Sequence, residues 1–115
     1  MNSGLKMSKA VFDTRVFMKG YYSPDEFRLR KLREKIKCTK ERYISSKVLH
    51  EVYQVTLRKE GRETAKIRTA LLEKDCTVID VNANLAKTSA ELRLKYDMSM
   101  ADSIIATTAL FLKAP

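Results

Sequence analysis

The chain has 115 residues, of which 44% are hydrophobic and 32% charged, and its 23 Lys or Arg against 14 Asp or Glu give a net charge of +9. This size and composition exclude a disordered chain and a large multidomain protein, and predict a single small globular domain over residues 1–115 with a flexible tail at residues 1–8. The sequence has no signal peptide, no apolar run of about 18 residues, and two cysteines that lie far apart, so we expect a cytoplasmic location.

The N-terminal part of the chain predicts a short buried strand followed by a helix. Residues 10–12 are apolar and too few for a helix, and Asp13 follows them directly. A carboxylate at the end of a parallel strand lies where α/β sheets bind ligands, although an Asp there is more often a turn or cap residue. Ser23, with Pro24 after it, predicts the start of a helix that ends near Cys38.

Positive charge is concentrated in this helix and just beyond it. Between residues 27 and 47 there are nine basic residues against Glu34 and Glu41: Arg28, Arg30, Lys31, Arg33, Lys35, Lys37, Lys40, Arg42 and Lys47. A patch of this kind attracts polyanions, of which phosphate backbones are the usual ones. A solvated helix face would look the same in sequence, so both interpretations remain open.

The middle of the chain predicts a helical pair. Residues 43–46 read as a short extended lead into a helix over about 47–60 that stops at Gly61, with Glu51 in its first turn. His50 has no Cys or Ser partner and is interpreted as a surface or partly buried histidine. A further helix is expected over residues 62–74, and its buried face is expected to carry Ala65, Ile67, Ala70 and Leu71.

The last third of the chain predicts a strand over residues 76–81 and two helices. The first of these begins at Asn82, and the second is capped by Ser99, with Asp102 three residues later as in a capping box. Strands that alternate with helices long enough for crossover connections favour an α/β fold with a parallel sheet.

Three acidic residues share a comparable setting in this scheme. Asp13 ends a strand, and Glu51 and Asp102 each follow a helix start preceded by Ser. Clustered carboxylates repel one another unless a cation lies among them, and hard oxygen ligands select Mg²⁺ or Mn²⁺ rather than zinc. A chain with 14 acids offers many such triples, and a cap role for Asp102 is the simpler alternative.

Three segments of the chain form a recognisable set: AVFDTRVF at 10–17, ISSKVLHEVY at 44–53, and AELRLKY at 90–96 together with SMADSIIATTAL at 99–110. In order, spacing and residue type they resemble the PIN-domain family of small metal-dependent ribonucleases, which includes toxins of prokaryotic toxin–antitoxin pairs. The resemblance implies a three-layer α/β PIN-like fold with a parallel sheet flanked by helices.

The resemblance also implies the site and its chemistry. Asp13, Glu51 and Asp102 take the family's catalytic and metal-binding positions for Mg²⁺ or Mn²⁺, and Thr14 and Arg15 lie beside these ligands. The implied reaction is hydrolysis of RNA phosphodiesters by metal-activated water, and the implied partners are RNA, an antitoxin protein and a second copy of the chain. The residues expected to bind the RNA backbone are Arg28, Lys31, Arg33, Lys35 and Lys37.

Two departures from the family pattern leave an alternative open. Arg15 stands where the family usually has Asn, and the sequence ends before the strand that carries the family's further acidic motif. We therefore expect the C-terminal strand to be missing and a sheet edge to be exposed. The alternative is a catalytically impaired module that binds RNA or a partner protein. A basic DNA-binding helical domain is disfavoured by the two predicted strands and by the lack of a helix-turn-helix pattern.

Overall fold

The computed structural model describes residues 9–114, so the predicted tail at residues 1–8 lies outside the described part of the chain. Three strands and six helices follow one another along it. They are β1 (Lys9–Val11), α1 (Thr14–Tyr22), α2 (Glu26–Cys38), β2 (Glu41–Ser45), α3 (Ser46–Glu60), α4 (Arg62–Asp75), β3 (Thr77–Ile79), α5 (Ala83–Tyr96) and α6 (Met100–Leu112).

The strands form a small parallel sheet in the order β1-β2-β3. Ala10 pairs with Arg42, and Ile44 pairs with Val78, so β2 is the central strand. Two helices separate each strand from the next, and they form the crossover connections that parallel strands require. The predicted α/β fold, a parallel sheet flanked by helices, is confirmed.

The core lies where α1, α3 and α4 meet the sheet. It is one cluster of buried side chains, of which Ile44 and Val52 are completely buried: Ala10, Phe12, Phe17, Ile44, Val48, Val52, Leu72 and Cys76. Packing of α6 against β1 and β2 brings the start of that helix towards the end of β1. This contact positions the acidic residues described below. Within residues 9–114, every helix is too short or too polar to cross a membrane.

Two elements of the N-terminal half differ from the sequence prediction. Residues 41–45 are the central strand, whereas the sequence predicts only an extended lead into α3. The helix α1, which includes Gly20, is not predicted by the sequence. A Cβ placed on Gly20 would lie 3.4 Å from Leu32 Cδ2, so Gly20 faces α2 where the two helices pack together.

The helix boundaries predicted from the sequence were partly correct. The cap of α2 is Asp25, whose carboxylate accepts hydrogen bonds from the backbone N–H groups of Phe27 and Arg28, while Ser23 ends α1. Gly61 ends α3 with a φ of 95°, as predicted. Because α3 begins at Ser46, Glu51 lies in its second turn and not in its first.

Of the four residues predicted on the inward face of α4, Ala65 is buried as predicted and the other three are not. Ile67 and Leu71 are more than half exposed, and Ala70 is exposed as well. The buried residues are Ala65, Thr69 and Leu72. Both sets follow helical spacing, so the sequence pattern alone does not distinguish the two faces.

Candidate active site

Asp13 lies at the junction of β1 and α1. Its carboxylate Oδ1 accepts hydrogen bonds from the backbone N–H groups of Arg15 at 2.8 Å and Val16 at 3.4 Å. These are two of the first N–H groups of α1, which have no partner within the helix. Asp13 is therefore the N-cap of α1, which confirms the cap interpretation from sequence, and it lies two residues after the last residue of β1.

Glu51 projects from α3 and is held from two sides. The Thr14 hydroxyl, at the start of α1, donates a hydrogen bond to Glu51 Oε1. The Lys47 ammonium, one helical turn earlier on α3, lies 3.4 Å from Glu51 Oε2. The Glu51 carboxylate is about one-third exposed, which leaves it accessible from solvent.

Asp102 lies in the first turn of α6, after a sharp reversal of the chain. Asp97 ends α5 in the left-handed region, with a φ of 53°, and Ser99 caps α6. The Ser99 hydroxyl accepts a hydrogen bond from the Asp102 backbone N–H at 3.1 Å. This confirms the predicted cap at Ser99, which bonds the Asp102 backbone and not its carboxylate.

The three acids converge on one cavity of about 270 Å³. Asp13, Glu51 and Asp102 line it, and the remaining lining residues come from the same three segments: Thr14, Arg15, Ser99, Ala101 and Ile105. The end of β1, the second turn of α3 and the start of α6 thus bring together carboxylates that are remote in sequence.

A guanidinium joins two of these carboxylates. Arg15 donates to Asp13 Oδ2 through Nε at 3.1 Å and through Nη2 at 2.8 Å. The same Nη2 lies 3.4 Å from Asp102 Oδ1. The hydrogen bonds to Asp13, and then the charges of Asp13 and Asp102, raise the pKa of Arg15 above its usual value. Arg15 therefore supplies the cation that a cluster of carboxylates requires.

The chemistry of the donor set fits a hard divalent cation. Three carboxylates around a solvent-accessible cavity offer the oxygen ligands that Mg²⁺ and Mn²⁺ prefer. Within residues 9–114, however, no group of three or more His, Cys, Asp or Glu side chains is already arranged to hold an ion. The guanidinium of Arg15 contacts one oxygen of each of two carboxylates, Asp13 Oδ2 and Asp102 Oδ1, so an ion that used these two oxygens would have to replace it.

A basic cleft lies beside the acidic cavity. The predicted RNA-binding residues of α2, namely Arg28, Lys31, Arg33, Lys35 and Lys37, are all exposed. Arg28, Lys31 and Lys35 line a cleft of about 350 Å³ between α1 and α2, with Leu29, Leu32 and Lys19. Lys19 lies one helical turn beyond Arg15 on α1, or about 6 Å along the axis. The basic cleft and the acidic cavity are thus each lined by a basic residue of α1, one helical turn apart.

Sequence reasoning missed two basic residues near the site. Lys47 is four residues before Glu51 on a predicted helix, and that spacing was a usable signal. Lys19 had no comparable signal, because the sequence did not predict α1. His50 is exposed and does not line the cavity, in line with its interpretation as a surface histidine.

The chain is similar in sequence to one described family. The family model for the PIN domain matches residues 10–115. No curated protein sequence matches the chain.

Solved structures share its fold at low sequence identity. A toxin–antitoxin complex from Klebsiella pneumoniae has a TM-score of 0.74 and 21% identity, over 92% of this chain and 82% of that one. VapBC2 from Rickettsia felis, bound to a DNA fragment from its promoter, has a TM-score of 0.69 and 19% identity, over 91% and 82%. DNA-bound VapBC from Salmonella typhimurium has a TM-score of 0.64 and 18% identity, over 90% and 80%.

Proposed function

The chain belongs to the PIN-domain family, and we propose that it is a metal-dependent endoribonuclease that acts as the toxin of a toxin–antitoxin pair. The observation that carries this proposal is the convergence of Asp13, Glu51 and Asp102 on one cavity. The three residues come from distant segments that each resemble a family motif. The fold similarity to toxin–antitoxin structures supports the same assignment.

The proposed roles follow from the contacts of each side chain. Asp13, Glu51 and Asp102 would hold Mg²⁺ or Mn²⁺, with Thr14 fixing the orientation of the Glu51 carboxylate. When bound, such an ion activates water and stabilises negative charge in an in-line displacement at phosphorus. The Asp13 and Ser99 caps hold the starts of α1 and α6 in place, so two of the three carboxylates are fixed at helix termini.

The basic cleft between α1 and α2 is the proposed contact for the RNA backbone. It carries four basic side chains, Lys19, Arg28, Lys31 and Lys35, above the apolar surface of Leu29 and Leu32. Arg33 and Lys37 extend the charge along α2. An RNA strand in this cleft would be led along α1 towards the carboxylates, because Lys19 and Arg15 are neighbours on that helix.

An antitoxin protein and a second copy of the chain are the proposed protein partners, and the cytoplasm is the proposed location. The Klebsiella, Rickettsia and Salmonella structures are toxin–antitoxin assemblies, which supports the first partner. Exposed apolar side chains near the α5–α6 turn are a surface suited to self-association: Leu94, Tyr96 and Met100.

A pair of matched variants tests the proposed catalysis. Asp102→Asn removes one cavity carboxylate, whereas Asp97→Asn makes the same chemical change at an exposed residue five positions earlier, whose left-handed backbone Asn also adopts. Cleavage of single-stranded RNA is measured with MnCl₂ and with EDTA. We expect Mn²⁺-dependent cleavage that Asp102→Asn reduces by about 100-fold or more and Asp97→Asn leaves unchanged. Equal cleavage by the two variants would contradict the assignment.

The second candidate function is a PIN-like module that binds RNA or a partner protein without cleaving. The contacts of Arg15 and Lys47 favour it, because each already neutralises a cavity carboxylate without a metal. Titration calorimetry with MnCl₂ separates the two functions. Heat that saturates at millimolar Mn²⁺ and disappears in Asp102→Asn supports the nuclease, and no heat in the parent protein supports the binding module.

A further inference from the structure

Arg15 contacts two of the three cavity carboxylates at once. Its Nε and Nη2 atoms bind Asp13 Oδ2, and Nη2 also approaches Asp102 Oδ1. Lys47, by comparison, forms an ion pair with Glu51, and both residues belong to the same helix. Among residues 9–114, Arg15 is therefore the cationic side chain that joins two separate segments of the cavity, the start of α1 and the start of α6.

The same oxygens would serve a divalent ion. A cation that bridged Asp13 Oδ2 and Asp102 Oδ1 would have to displace the guanidinium, since its Nη2 atom lies 2.8 Å and 3.4 Å from these two oxygens. Two positive groups crowded against one pair of carboxylates would also repel each other. Arg15 in its present position and a metal ion bound to these two oxygens are thus mutually exclusive.

The Arg15 side chain is free to move. It is 73% exposed, while the backbone N–H of the same residue stays bonded to Asp13 Oδ1 in the cap of α1. The guanidinium can therefore swing into solvent without loss of the helix cap and without opening the core. The backbone N–H of Arg15 holds the Asp13 carboxylate in place, while the charged side chain of Arg15 can move independently.

We propose that Arg15 is a built-in competitor of the divalent ion: it closes the acidic cavity when metal is scarce and leaves when metal binds. This inference rests on the proposed function, because it presumes that Asp13 and Asp102 hold a metal. It assigns to Arg15 the control of the metal concentration at which the site fills. In the closed state the guanidinium also relieves repulsion between the two carboxylates.

Calorimetric titration with MnCl₂ tests the competition directly. The variants are Arg15→Gln, which removes the charge and keeps much of the side-chain length, and Lys87→Gln, which removes an exposed charge on α5 and controls for net charge. We expect Arg15→Gln to bind Mn²⁺ on the order of threefold to tenfold more tightly than the parent, as loss of exposed ion pairs implies. Lys87→Gln should bind like the parent.

Thermal unfolding supplies a readout that does not depend on activity. Without metal, Arg15→Gln should melt at a lower temperature than the parent, because Asp13 and Asp102 then face each other without a cation. With saturating MnCl₂ its melting temperature should rise by more than that of the parent, since no guanidinium has to be displaced.

The outcomes separate the two proposals. Equal Mn²⁺ affinity in the parent and in Arg15→Gln overturns the competition and leaves the metal site intact. Weaker affinity in Arg15→Gln also overturns it, because Arg15 would then support metal binding. No heat of Mn²⁺ binding in any of the three proteins overturns both the competition and the proposed metal-dependent activity.

Discussion

Thr14 donates a hydrogen bond to the carboxylate of Glu51, which lies 37 residues further along the chain. The bond joins the first residue of α1 to the second turn of α3, across the cavity that Asp13 and Asp102 also line. A side chain held in this way is pre-oriented, and partners that orient metal ligands commonly affect metal affinity or activity by about 10- to 100-fold. The contact thus links a hydroxyl next to Asp13 to the geometry of a different proposed ligand.

Replacing Thr14 should weaken the site without unfolding the protein. Thr14→Val keeps the shape of the side chain and removes the hydroxyl, so Glu51 loses its partner on α1. We expect RNA cleavage to fall on the order of tenfold, with an unchanged far-UV circular dichroism spectrum. Thr14→Ser retains the hydroxyl and should stay within about threefold of the parent. Equal loss in both variants would show that the methyl group, and not the hydrogen bond, is what matters.

Because the cleft is basic, we predict that its affinity for RNA falls as the salt concentration rises. Binding is measured by fluorescence anisotropy with labelled single-stranded RNA in the Asp102→Asn background, where cleavage is expected to be minimal. Each phosphate contact contributes about −0.7 to the slope of log K against log salt for a single strand. Replacing both Lys31 and Lys35 by Gln should therefore make the slope less steep by about 1.4.

The matched control for the cleft removes two exposed lysines from other helices. Lys66 lies on α4 and Lys87 on α5, and neither lines the cleft. Replacing both by Gln produces the same change in net charge and should leave the slope unchanged. If the control changes the slope as much as the cleft variant, binding follows net charge and not the cleft.

Local signals were sufficient for several parts of the fold. Ser99 before an apolar helix predicted the cap of α6, and Gly61 predicted the end of α3, because each meets a backbone requirement set by neighbouring residues. The parallel sheet followed from the alternation of strands and helices. Such features depend on short stretches of chain, so a single sequence contains them.

Features that depend on distant neighbours were missed. The central strand over residues 41–45 carries charged residues, and its place between β1 and β3 is decided by pairing with strands that are remote in sequence. The same holds at the site. Sequence placed Arg15 beside Asp13, but its bridge to Asp102 spans 87 residues and exists only in the folded chain.

Burial distinguishes two isoleucines that look alike in sequence. Ile44 on β2 is completely buried, whereas Ile67 on α4 is 55% exposed although the sequence predicted it inward. Ile44→Ala should lower the free energy of unfolding by about 2–5 kcal/mol, because it leaves a cavity in the core. Ile67→Ala should change it by less than about 1 kcal/mol. Urea denaturation with an unchanged m-value measures both, and a large loss in Ile67→Ala would contradict the observed face of α4.

We predict that ionisation of Tyr21 lowers the stability of the folded protein at alkaline pH. Burial raises the pKa of Tyr21 to about 12, and the charge of Arg68, whose guanidinium lies 4.2 Å from the ring centre, opposes that effect only in part. Tyr22, Asp75 and Cys76 also raise the pKa of Tyr21. In the unfolded chain a tyrosine ionises near pH 10. The folded state therefore binds the proton more tightly, and this stabilising contribution is complete below about pH 10 and is lost as the pH rises towards 12.

The variant Tyr21→Phe isolates this contribution, because phenylalanine keeps the ring beneath Arg68 and has no proton to lose. Melting temperatures are measured from pH 8 to about pH 11.5, and Tyr96→Phe, which removes an exposed hydroxyl, serves as the control. The parent and Tyr96→Phe should lose stability more steeply above about pH 10 than Tyr21→Phe does, since lysines and the remaining tyrosines titrate in all three proteins. Parallel curves for the three proteins would mean that Tyr21 ionises equally easily in the folded and unfolded chains, and would contradict the effect of its partial burial.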